Sequence, residues 1–539
     1  MGKLLPKRYT VVMRKKLTKV EIKAFLLIFG FDLIGVITLL LNHYMITDDM
    51  RRAIYGSTWN SDFGRYSSSL LAQLLHQNVK LFDMSPIPQV VAMAIMAVSS
   101  MMLVYLFVGR IKSIRESFWP LLIAALFGLC PFMMNAWRYK FDAPCMALGI
   151  AVSILPYYLY WGKIKVGTSD NLPGRIAITM ACIAVMWTSF QAASGIFLIV
   201  GLALMVRDSI KGREQSVFQA IVFLFCHLVV SLLFFLLVKD GIYYRNIIIG
   251  SVDDIWSNIC GICKMLTSST SAYWAIMIGV IIICSFVMSL KRGDELYYLA
   301  LMVGFLSVGV FIAVGPLLLL KVFPYVGRSL VGVCCLFVVF LLLLWSSIPK
   351  RKYRRIEKVY YVALILVFYG FLTYGWSFGN ALSGQYEYDN NLATMIMGDL
   401  TDIVRTEDEA RDTIVLVDGV ASPAPVMAKH LKAFPVARYN YMPSEGSISI
   451  YVRDRLFDQN NYPNDWRQDI VCGDGERFCY DMNICDGEAE LLYPTLYYDI
   501  ARIRDATING KKVYCIMINE KIGLPVNNDL EWRANPYEP

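Results

Sequence analysis

Long apolar stretches separated by short polar connections run through the first 378 residues of the chain. A helix needs about 20 mainly apolar residues to cross a hydrocarbon core about 30 Å thick, because each residue advances the helix by about 1.5 Å. The pattern therefore predicts a bundle of about eleven membrane-spanning helices. They are predicted at residues 24–44, 88–109, 117–135, 143–161, 175–190, 191–206, 216–238, 273–290, 296–320, 329–348 and 358–378.

The stretch at residues 175–206 is too long for one spanning helix and short for two. Basic residues concentrate on the cytoplasmic side of membrane proteins. All the basic clusters of this chain fall on one side only if residues 175–206 cross twice, reversing at the polar turn 188–191. This topology places the N-terminus in the cytoplasm and the C-terminal region outside it. The clusters lie within residues 1–23, 110–115, 163–175, 207–213, 291–292 and 350–358.

The composition agrees with a membrane protein. The chain is 57% hydrophobic and 17% charged, whereas a soluble chain carries about 25% charged residues. A soluble enzyme, a secreted disulfide scaffold and a fibrous protein are therefore excluded. The net charge of +8 is divided unevenly: residues 379–539 carry 15 Lys and Arg against 26 Asp and Glu, and the preceding residues carry 36 against 17.

The acidic C-terminal region predicts a small α/β domain. Its predicted elements are helices near 390–405 and 424–433 and strands at 413–417 and 513–518. The predicted fold class is an α-helical polytopic membrane protein with a small extracytoplasmic α/β domain. The predicted domains are a basic cytoplasmic N-terminus (1–23), a transmembrane domain (24–378) with an outer loop at 43–87, and the C-terminal domain (379–539).

Four cysteines of the C-terminal region are predicted to form one or two disulfides. An even number of cysteines outside the cytoplasm is typical of disulfide bonding; a metal site is the alternative, but the spacing fits no zinc pattern. They are Cys472, Cys479, Cys485 and Cys515. A further pair in a predicted outer loop, Cys260 and Cys263, is interpreted as a local disulfide.

Charged and aromatic residues collect at the outer ends of the predicted spans. The first outer loop begins with paired acids followed by an arginine, and a very short second loop carries cations against the positive-inside trend. Another cation lies between two late apolar spans. The candidate residues of these segments are Asp48, Asp49, Arg52, Trp59, Arg65, Arg138, Tyr139, Lys140, Asp142, Gln191 and Arg328.

This set suits sugar transfer from a lipid-phosphate donor at a membrane surface. Arg or Lys would stabilise the charge that develops on the departing phosphate, and a carboxylate would take the proton of the attacking hydroxyl. Glycine loops that cradle phosphates, GxxxxGK[ST] and GxGxxG, are absent from the sequence. The alternative is structural, because paired acids are common in solvated loops and cations near a membrane anchor helices by snorkelling.

The outer loops carry two motifs. The first is formed by Asp48, Asp49, Arg52, Gly56, Trp59, Gly64 and Arg65. The second is formed by Asn135, Tyr139, Phe141, Asp142 and Met146, and the turn Phe190-Gln191 comes later. These motifs and the turn resemble those of the serotype-converting O-antigen glucosyltransferases (glucosyl transferase type II). These motifs cover roughly residues 40–200, and Arg51 departs from the pattern because a small residue is usual there.

The resemblance implies a GT-C fold and an inverting enzyme of the bacterial inner membrane. Such an enzyme transfers glucose from undecaprenyl-phosphate-glucose to a surface polysaccharide repeat on the periplasmic face. Asp48 and Asp49 match the paired acids, one of which is the general base. The residues expected to bind the donor phosphate are Arg52, Arg138, Lys140 and Arg328. Those expected to bind acceptor or sugar are Arg65, Asp142, Gln191, Trp59 and Tyr139.

The expected partners are a polyprenyl-phosphate-linked sugar, a polysaccharide acceptor and the lipid bilayer, without nucleic acid. No cofactor is expected to be required, although two acids could hold a divalent metal. One alternative is a transporter or flippase of lipid-linked sugars, which predicts ionisable residues at mid-membrane and repeat symmetry. Another is a transferase that acts on lipid A or protein.

Overall fold

The structure is a computed structural model in which most of the membrane part and selected C-terminal segments are described. The described residues are 18–58, 64–162, 172–210, 216–238, 250–289, 295–347, 354–403, 405–406, 413–418, 422–441, 489–495, 498–508 and 511–518.

Helices make up nearly all of the described residues before 404. They are α1 (Lys19–Leu41), α2 (Thr47–Tyr55), α3 (Tyr66–His76), α4 (Ile87–Phe107), α5 (Ile114–Leu129), α6 (Met134–Trp137), α7 (Ala143–Tyr160), α8 (Leu172–Trp187), α9 (Ser194–Ile210), α10 (Ser216–Val238), α11 (Val252–Ser269), α12 (Ala272–Ser289), α13 (Glu295–Val314), α14 (Val331–Ser347) and α15 (Arg354–Ile403). Short 3₁₀ segments lie at Pro131–Met133, Gln191–Ala193, Gly315–Leu319 and Gly327–Leu330.

Eight of the described helices are long and apolar enough to cross a membrane, and up to ten if each of two bent pairs counts as one span. The bent pairs are α5 with Pro131–Trp137, at 42°, and α11 with α12, at 100°. Each of the eleven predicted spans overlaps a helix, but α8 is a shorter apolar helix of 16 residues. The chain is therefore a polytopic helical protein.

Local sequence signals explain where several helices begin. Thr18 and Glu21 form a capping box at the start of α1, in which each side chain accepts a hydrogen bond from the other residue's backbone N–H. Ser113 accepts the N–H of Glu116 at the start of α5. Pro131 lies two residues after the end of α5 and opens the next 3₁₀ segment, where its missing N–H costs no helical hydrogen bond.

Apolar side chains cover both the inside and the outside of the bundle. The core cluster extends from α1 to α15. On α10, Phe225, Leu228, Leu232 and Leu236 are exposed at spacings of three and four residues, so they form one stripe along the helix. A surface of this kind is suited to lipid, since exposed apolar patches of this extent are rare in water.

Helix α15 is 50 residues long, about 75 Å at 1.5 Å per residue. The sequence predicts a span at 358–378 and a separate helix near 390–405, and this division is wrong because the helix is continuous. Its sequence holds no proline between Arg354 and Ile403, and prolines are the usual cause of helix termination or kinking. The helix therefore carries residues 379–403 onward from the end of the bundle without a break.

A four-stranded sheet lies in the described part of the C-terminal region. Its strands are β1 (Thr413–Asp418), β2 (Ala489–Pro494), β3 (Tyr498–Ile508) and β4 (Lys511–Ile518), in the order β1-β4-β3-β2. β1 is parallel to β4, and the other neighbours are antiparallel. The predicted strands at 413–417 and 513–518 lie within β1 and β4.

The far end of α15 packs against this sheet. Leu392, Ala393, Ile396 and Leu400 of the helix share a small buried cluster with Tyr498, Ile500 and Ile516 of the strands. The hydroxyl of Tyr498 donates to Asp399 Oδ2 at 2.5 Å. One helix therefore connects the membrane bundle to the sheet.

The segment 422–441 packs against the bundle. It contains α16 (Pro425–Ala433) and a 3₁₀ turn at Pro435–Tyr439, which lie against α15 and α11. Gln385 of α15 accepts the N–H of Ala424 at 2.7 Å, and the rings of Tyr374, Phe378, His430 and Phe434 form one aromatic cluster. The segment 422–441 therefore packs against the bundle.

The cysteine predictions have different outcomes. Cys260 and Cys263 lie on α11 as exposed free thiols, so the predicted local disulfide is wrong in this structure. Cys472, Cys479 and Cys485 lie outside the described residues, and Cys515 lies in β4 opposite Leu416 and Ala501. The predicted disulfides of the C-terminal region stay a prediction.

Two glycines of α15 set the distance between α15 and α1. Thr38 Oγ1 donates to the carbonyl of Gly375 at 3.1 Å. A Cβ atom added at Gly375 would collide with the carbonyl of Gly35, and one added at Gly379 would collide with the backbone of Thr38. Small residues permit this close approach of two helices in a membrane.

We expect Gly379→Ala to lower the melting temperature of the detergent-solubilised protein, because overpacking costs about 1–3 kcal/mol. Gly398→Ala on the same helix is the matched control, since a Cβ there meets nothing within 4 Å. Alanine gains helix propensity of up to about 1 kcal/mol over glycine, so the control should melt at the same or a higher temperature. Equal shifts for the two variants would contradict the close packing of α1 and α15.

Candidate active site

The short helix α2 presents the paired acids. Asp48 and Asp49 lie in its first turn, where the helix dipole favours negative charge, and Arg52 lies in its last turn. The helix ends at Gly56, whose φ of 63° is left-handed and whose N–H donates to Arg52 O at 2.8 Å. Asp49 and Arg52 are three residues apart, so both side chains leave the same face of α2.

The second outer segment, residues 135–142, is folded back into the bundle. Trp137 Nε1 donates to Gly128 O at 2.8 Å, and Gln89 Nε2 donates to Trp137 O at 2.9 Å. The rings of Phe141 and His76 stack at 5.8 Å. Every residue from 135 to 142 is buried, including Arg138, Lys140 and Asp142.

Two contacts join α2 to this segment. The Asp49 carboxylate accepts the backbone N–H of Lys140 at 3.0 Å and that of Phe141 at 3.3 Å. Arg52 Nη1 and Asp142 Oδ1 form an ion pair of 2.6 Å, with side chains 4% and 7% exposed. The predicted acids and cations of the two loops therefore come together.

Burial raises the pKa of Asp49 from 3.8 to about 7. The charge of Asp142 raises it further, whereas the two backbone N–H groups and Arg52 lower it. Desolvation is the largest of these causes because it disfavours the charged form. Asp48, by contrast, is half-buried and keeps contact with the surface.

Arg138 is a buried cation with unused hydrogen-bond donors. Its Nε and Nη1 atoms have no hydrogen-bond partner among the described residues. Burial lowers the pKa of its guanidinium. That change is opposed by four acidic groups within electrostatic reach, which are Tyr44, Asp49, Tyr441 and Asp48. A guanidinium in such surroundings can receive an anion.

Two further cations lie close to Arg138. The guanidinium carbons of Arg328 and Arg138 lie 4.7 Å and 5.7 Å from the centroid of the Tyr139 ring. The backbone N–H of Arg328 donates to Asn135 Oδ1 at 3.4 Å. Burial lowers the pKa of Lys140, and the carboxylates of Asp83 and Asp49 oppose the change.

The remaining predicted residues surround this group or lie outside the described part of the chain. Arg65 precedes α3, whose Ser67 N–H and Ser68 Oγ donate to the carbonyls of Thr188 and Ser189. Gln191 begins the next 3₁₀ turn, which packs against Gly327–Leu330. Trp59 lies outside the described residues, as does the side chain of Arg51.

Sequence reasoning did not single out four polar residues that reach the site. Tyr44, which follows α1, and Tyr441 of the C-terminal segment are buried with ring centroids 6.4 Å apart. Asp389 of α15 is buried, lies within electrostatic reach of both and accepts a hydrogen bond from Gln385. Asn440 is fully buried next to Asn135. Of these four residues, only Tyr44 has a local signal in the sequence, because it lies four residues before Asp48.

Asp32 was also overlooked, and it lies elsewhere. It is fully buried near the middle of α1, and neither carboxylate oxygen has a hydrogen-bond partner among the described residues. Gly128 of α5 packs against it, since a Cβ at Gly128 would lie 2.6 Å from Asp32 Oδ1.

The expectation that no metal or other cofactor is required stays a prediction. Within the described ranges, His, Cys, Asp and Glu side chains do not gather in groups of three or more that could hold a metal ion.

The comparisons with known proteins match the part of the chain that builds this site. A family model described as glucosyl transferase GtrII matches residues 37–379. The chain belongs to this family. The family is described as one of glucosyl transferases, and the apolar helices described above are those of a multi-pass membrane protein.

The GtrII-family chain is also similar to one curated phage protein. It is 24% identical over 188 residues to an uncharacterized 55.3 kDa protein in the gtrB 5' region of Salmonella phage P22. The aligned part is 35% of this chain and spans about a third, 36%, of that relative. No solved structure matches the GtrII-family chain significantly.

We expect Asp142→Asn to destabilise the protein strongly. Removing one partner of a buried ion pair leaves an uncompensated charge and costs about 3–5 kcal/mol. Arg52→Met/Asp142→Leu, which removes both charges, should recover part of that loss. Thermal unfolding in detergent measures the difference, with exposed Asp253→Asn as the control; equal or additive losses for the double variant would contradict the pairing.

We expect the stability contribution of Asp49 to decrease with rising pH. Because its pKa is raised from 3.8 to about 7 in the folded protein, folding favours the protonated form, and that stability is present below about pH 4 and lost as pH rises through about 7. The melting temperature of wild type minus that of Asp49→Asn should therefore fall between these pH values. A difference that stays flat or rises would show that Asp49 is ionised in the fold at neutral pH.

Proposed function

We propose that this chain transfers glucose from undecaprenyl-phosphate-glucose to the repeating unit of an O-antigen, at the periplasmic face of the bacterial inner membrane. The convergence of α2 with the segment 135–142 supports this most, since it places acids and unsatisfied cation donors together at one end of a bundle of the GtrII family. Such an arrangement fits a reaction that needs a base and a phosphate site side by side.

The distribution of basic residues supports the periplasmic face. The loops that build the site follow α1, α5 and α8, whereas the basic clusters follow α4, α7 and α9. Cytoplasmic loops are enriched in Lys and Arg. The site end of the bundle, defined here as the end that carries α2 and residues 135–142, would therefore face the periplasm.

Asp48 is the residue we assign as general base. Its carboxylate is half-buried and so can meet an acceptor that arrives from outside, whereas Asp49 is 1% exposed and engages two backbone N–H groups. A general base must come within hydrogen-bond reach of the proton it removes. Asp49 then acts as a positioning residue for the segment that carries Arg138 and Lys140.

The donor phosphate would bind at Arg138, Lys140 and Arg328. Arg138 supplies guanidinium N–H groups that have no partner among the described residues, and both Arg138 and Arg328 lie against the ring of Tyr139. Arg52 forms an ion pair with Asp142. We therefore assign it to the support of the site and not to phosphate binding. Arg65, Gln191 and Tyr139 stay candidates for contact with sugar or acceptor.

The proposed reaction is a single inverting displacement. The acceptor hydroxyl gives its proton to Asp48, its oxygen forms a bond to the anomeric carbon, and the bond from that carbon to the phosphate oxygen breaks. The electron pair stays on the phosphate oxygen of undecaprenyl phosphate, so the charge of the phosphate changes from −1 to −2. Cations fixed in a site of low dielectric stabilise that added charge in the transition state.

Sugar transfer in membranes that carry Asp48→Asn tests this proposal. We expect the variant to lose about 100-fold to 10,000-fold in kcat, the usual contribution of a general base, and Asp49→Asn to retain more activity. Labelled glucose passing from undecaprenyl-phosphate-glucose into polysaccharide is the readout, at matched expression. Asp32→Asn is the matched control, because it makes the same chemical change outside the site.

The outcome also separates this proposal from transport. Asp32 is an ionisable residue within a span, a feature expected of transporters. If Asp48→Asn and Asp49→Asn both transferred glucose as wild type does, the paired acids would be structural and the proposed mechanism wrong. Loss of function in Asp32→Asn alone would favour a transporter of lipid-linked sugars.

A further inference from the structure

Two buried tyrosines from distant parts of the chain lie close to each other at the site end of the bundle. Tyr44 lies between α1 and α2, and Tyr441 ends the C-terminal segment 422–441. They are 4% and 3% exposed, and their ring centroids are 6.4 Å apart. Both lie within electrostatic reach of the Arg138 guanidinium.

Arg138 and the tyrosines complement each other chemically. The guanidinium carries two buried N–H positions without a partner among the described residues, which is costly unless a ligand supplies an acceptor. Each phenol adds an O–H donor of its own. Two neutral donors beside this cation suit a phosphate, which offers several acceptor oxygens, and they add hydrogen bonds without adding charge.

We propose that Tyr44 and Tyr441 bind the phosphate of the lipid donor together with Arg138, so that the C-terminal region contributes directly to the donor site. This inference rests on the proposed function. It adds two phosphate-binding residues to the site, and one of them, Tyr441, comes from the C-terminal region. The tyrosines bind the phosphate in the ground state and hold it as its charge grows.

The surroundings keep both phenols as donors. Burial raises the pKa of Tyr44 and that of Tyr441, and the carboxylate of Asp389 raises both further, while Arg138 lowers them. The phenols therefore stay protonated at neutral pH. Asp389 is held by Gln385, whose Nε2 donates to it at 2.8 Å.

Asn440 fixes the position of Tyr441. Its Nδ2 donates to Pro131 O at 2.7 Å and to Tyr374 Oη at 2.6 Å. The backbone carbonyl of Asn440 accepts a hydrogen bond from Asn135 Nδ2 at 3.0 Å. The residue before Tyr441 is thereby joined to the segment that carries Arg138, so the two donors keep their relative position.

Gly327 shows how closely this junction is packed. A Cβ atom there would collide with Asn440 Oδ1 and would lie 3.0 Å from Asn135 Cβ. The turn that carries Arg328 therefore packs directly on the two asparagines. Residues from three separate parts of the chain, 131–142, 327–328 and 440–441, form one unit around the proposed phosphate position.

Removing single hydroxyl groups tests the inference in the full-length protein. Tyr441→Phe, Tyr44→Phe and the double variant keep the aromatic rings. Tyr439→Phe is the matched control, because its hydroxyl bonds Ser268 on α11 at 3.0 Å, away from Arg138. Binding of undecaprenyl phosphate to the purified protein in detergent is measured first, followed by KM and kcat for undecaprenyl-phosphate-glucose.

We expect each single variant to weaken binding of undecaprenyl phosphate about 10-fold to 100-fold, as loss of a hydrogen bond to a charged group does. KM for the donor should rise with an unchanged melting temperature and an unchanged KM for the acceptor, a pattern that a purely structural role would not give. Tyr439→Phe should behave as wild type.

The results separate this inference from the proposed function. If the tyrosine variants bind and transfer as wild type does while Asp48→Asn is inactive, the tyrosines are not phosphate ligands and the proposed function stands. If the melting temperature of the tyrosine variants falls enough to explain their weaker binding of undecaprenyl phosphate, the inference is likewise overturned. If wild type binds no undecaprenyl phosphate and transfers no sugar, both proposals are wrong.

Discussion

The contact between α2 and the segment 135–142 is the interaction on which the site depends. Asp49 accepts two backbone N–H groups of that segment, and Arg52 pairs with Asp142 beside it. Charges buried at the end of an apolar bundle are costly unless each is paired or hydrogen-bonded. These contacts pair the charges of Asp49, Arg52 and Asp142, while two N–H groups of Arg138 keep no partner among the described residues. The same packing therefore satisfies the acids and leaves Arg138 able to bind an anion.

Helix α15 links the two halves of the molecule. It packs against α1 through Gly375 and Gly379, presents Asp389 at the site and reaches the sheet with Leu392 and Ile396. The returning segment 422–441 is then held against it by Gln385. The described part of the C-terminal region is therefore in contact with the site end of the bundle, and α15 joins that end to the sheet.

The pair of acids illustrates how burial can assign different roles to neighbouring residues. Asp48 and Asp49 are adjacent in sequence and chemically identical, yet a helix turns successive side chains by about 100°. One carboxylate therefore faces the segment 135–142 and is desolvated, with its pKa raised to about 7, while the other stays half-buried. In the proposed mechanism this difference assigns the proton transfer to Asp48 and the positioning of the cations to Asp49.

The sequence by itself determined that long apolar helices build the first part of the chain, because apolar length acts locally. It predicted eleven spans, whereas at most ten qualify among the described residues. It also identified Asp48, Asp49, Arg52, Arg138, Lys140, Asp142 and Arg328 as polar residues at helix ends, which the structure brings together. Only the tertiary structure decided that α15 is one helix and that Asp49 and Arg52 bind the neighbouring segment. It also decided that Tyr44 lies beside Tyr441 and that Asn440 bonds the segment that carries Arg138. Those contacts join residues up to about 400 positions apart, and no local pattern of hydrophobicity or charge encodes which distant side chains will share a buried space.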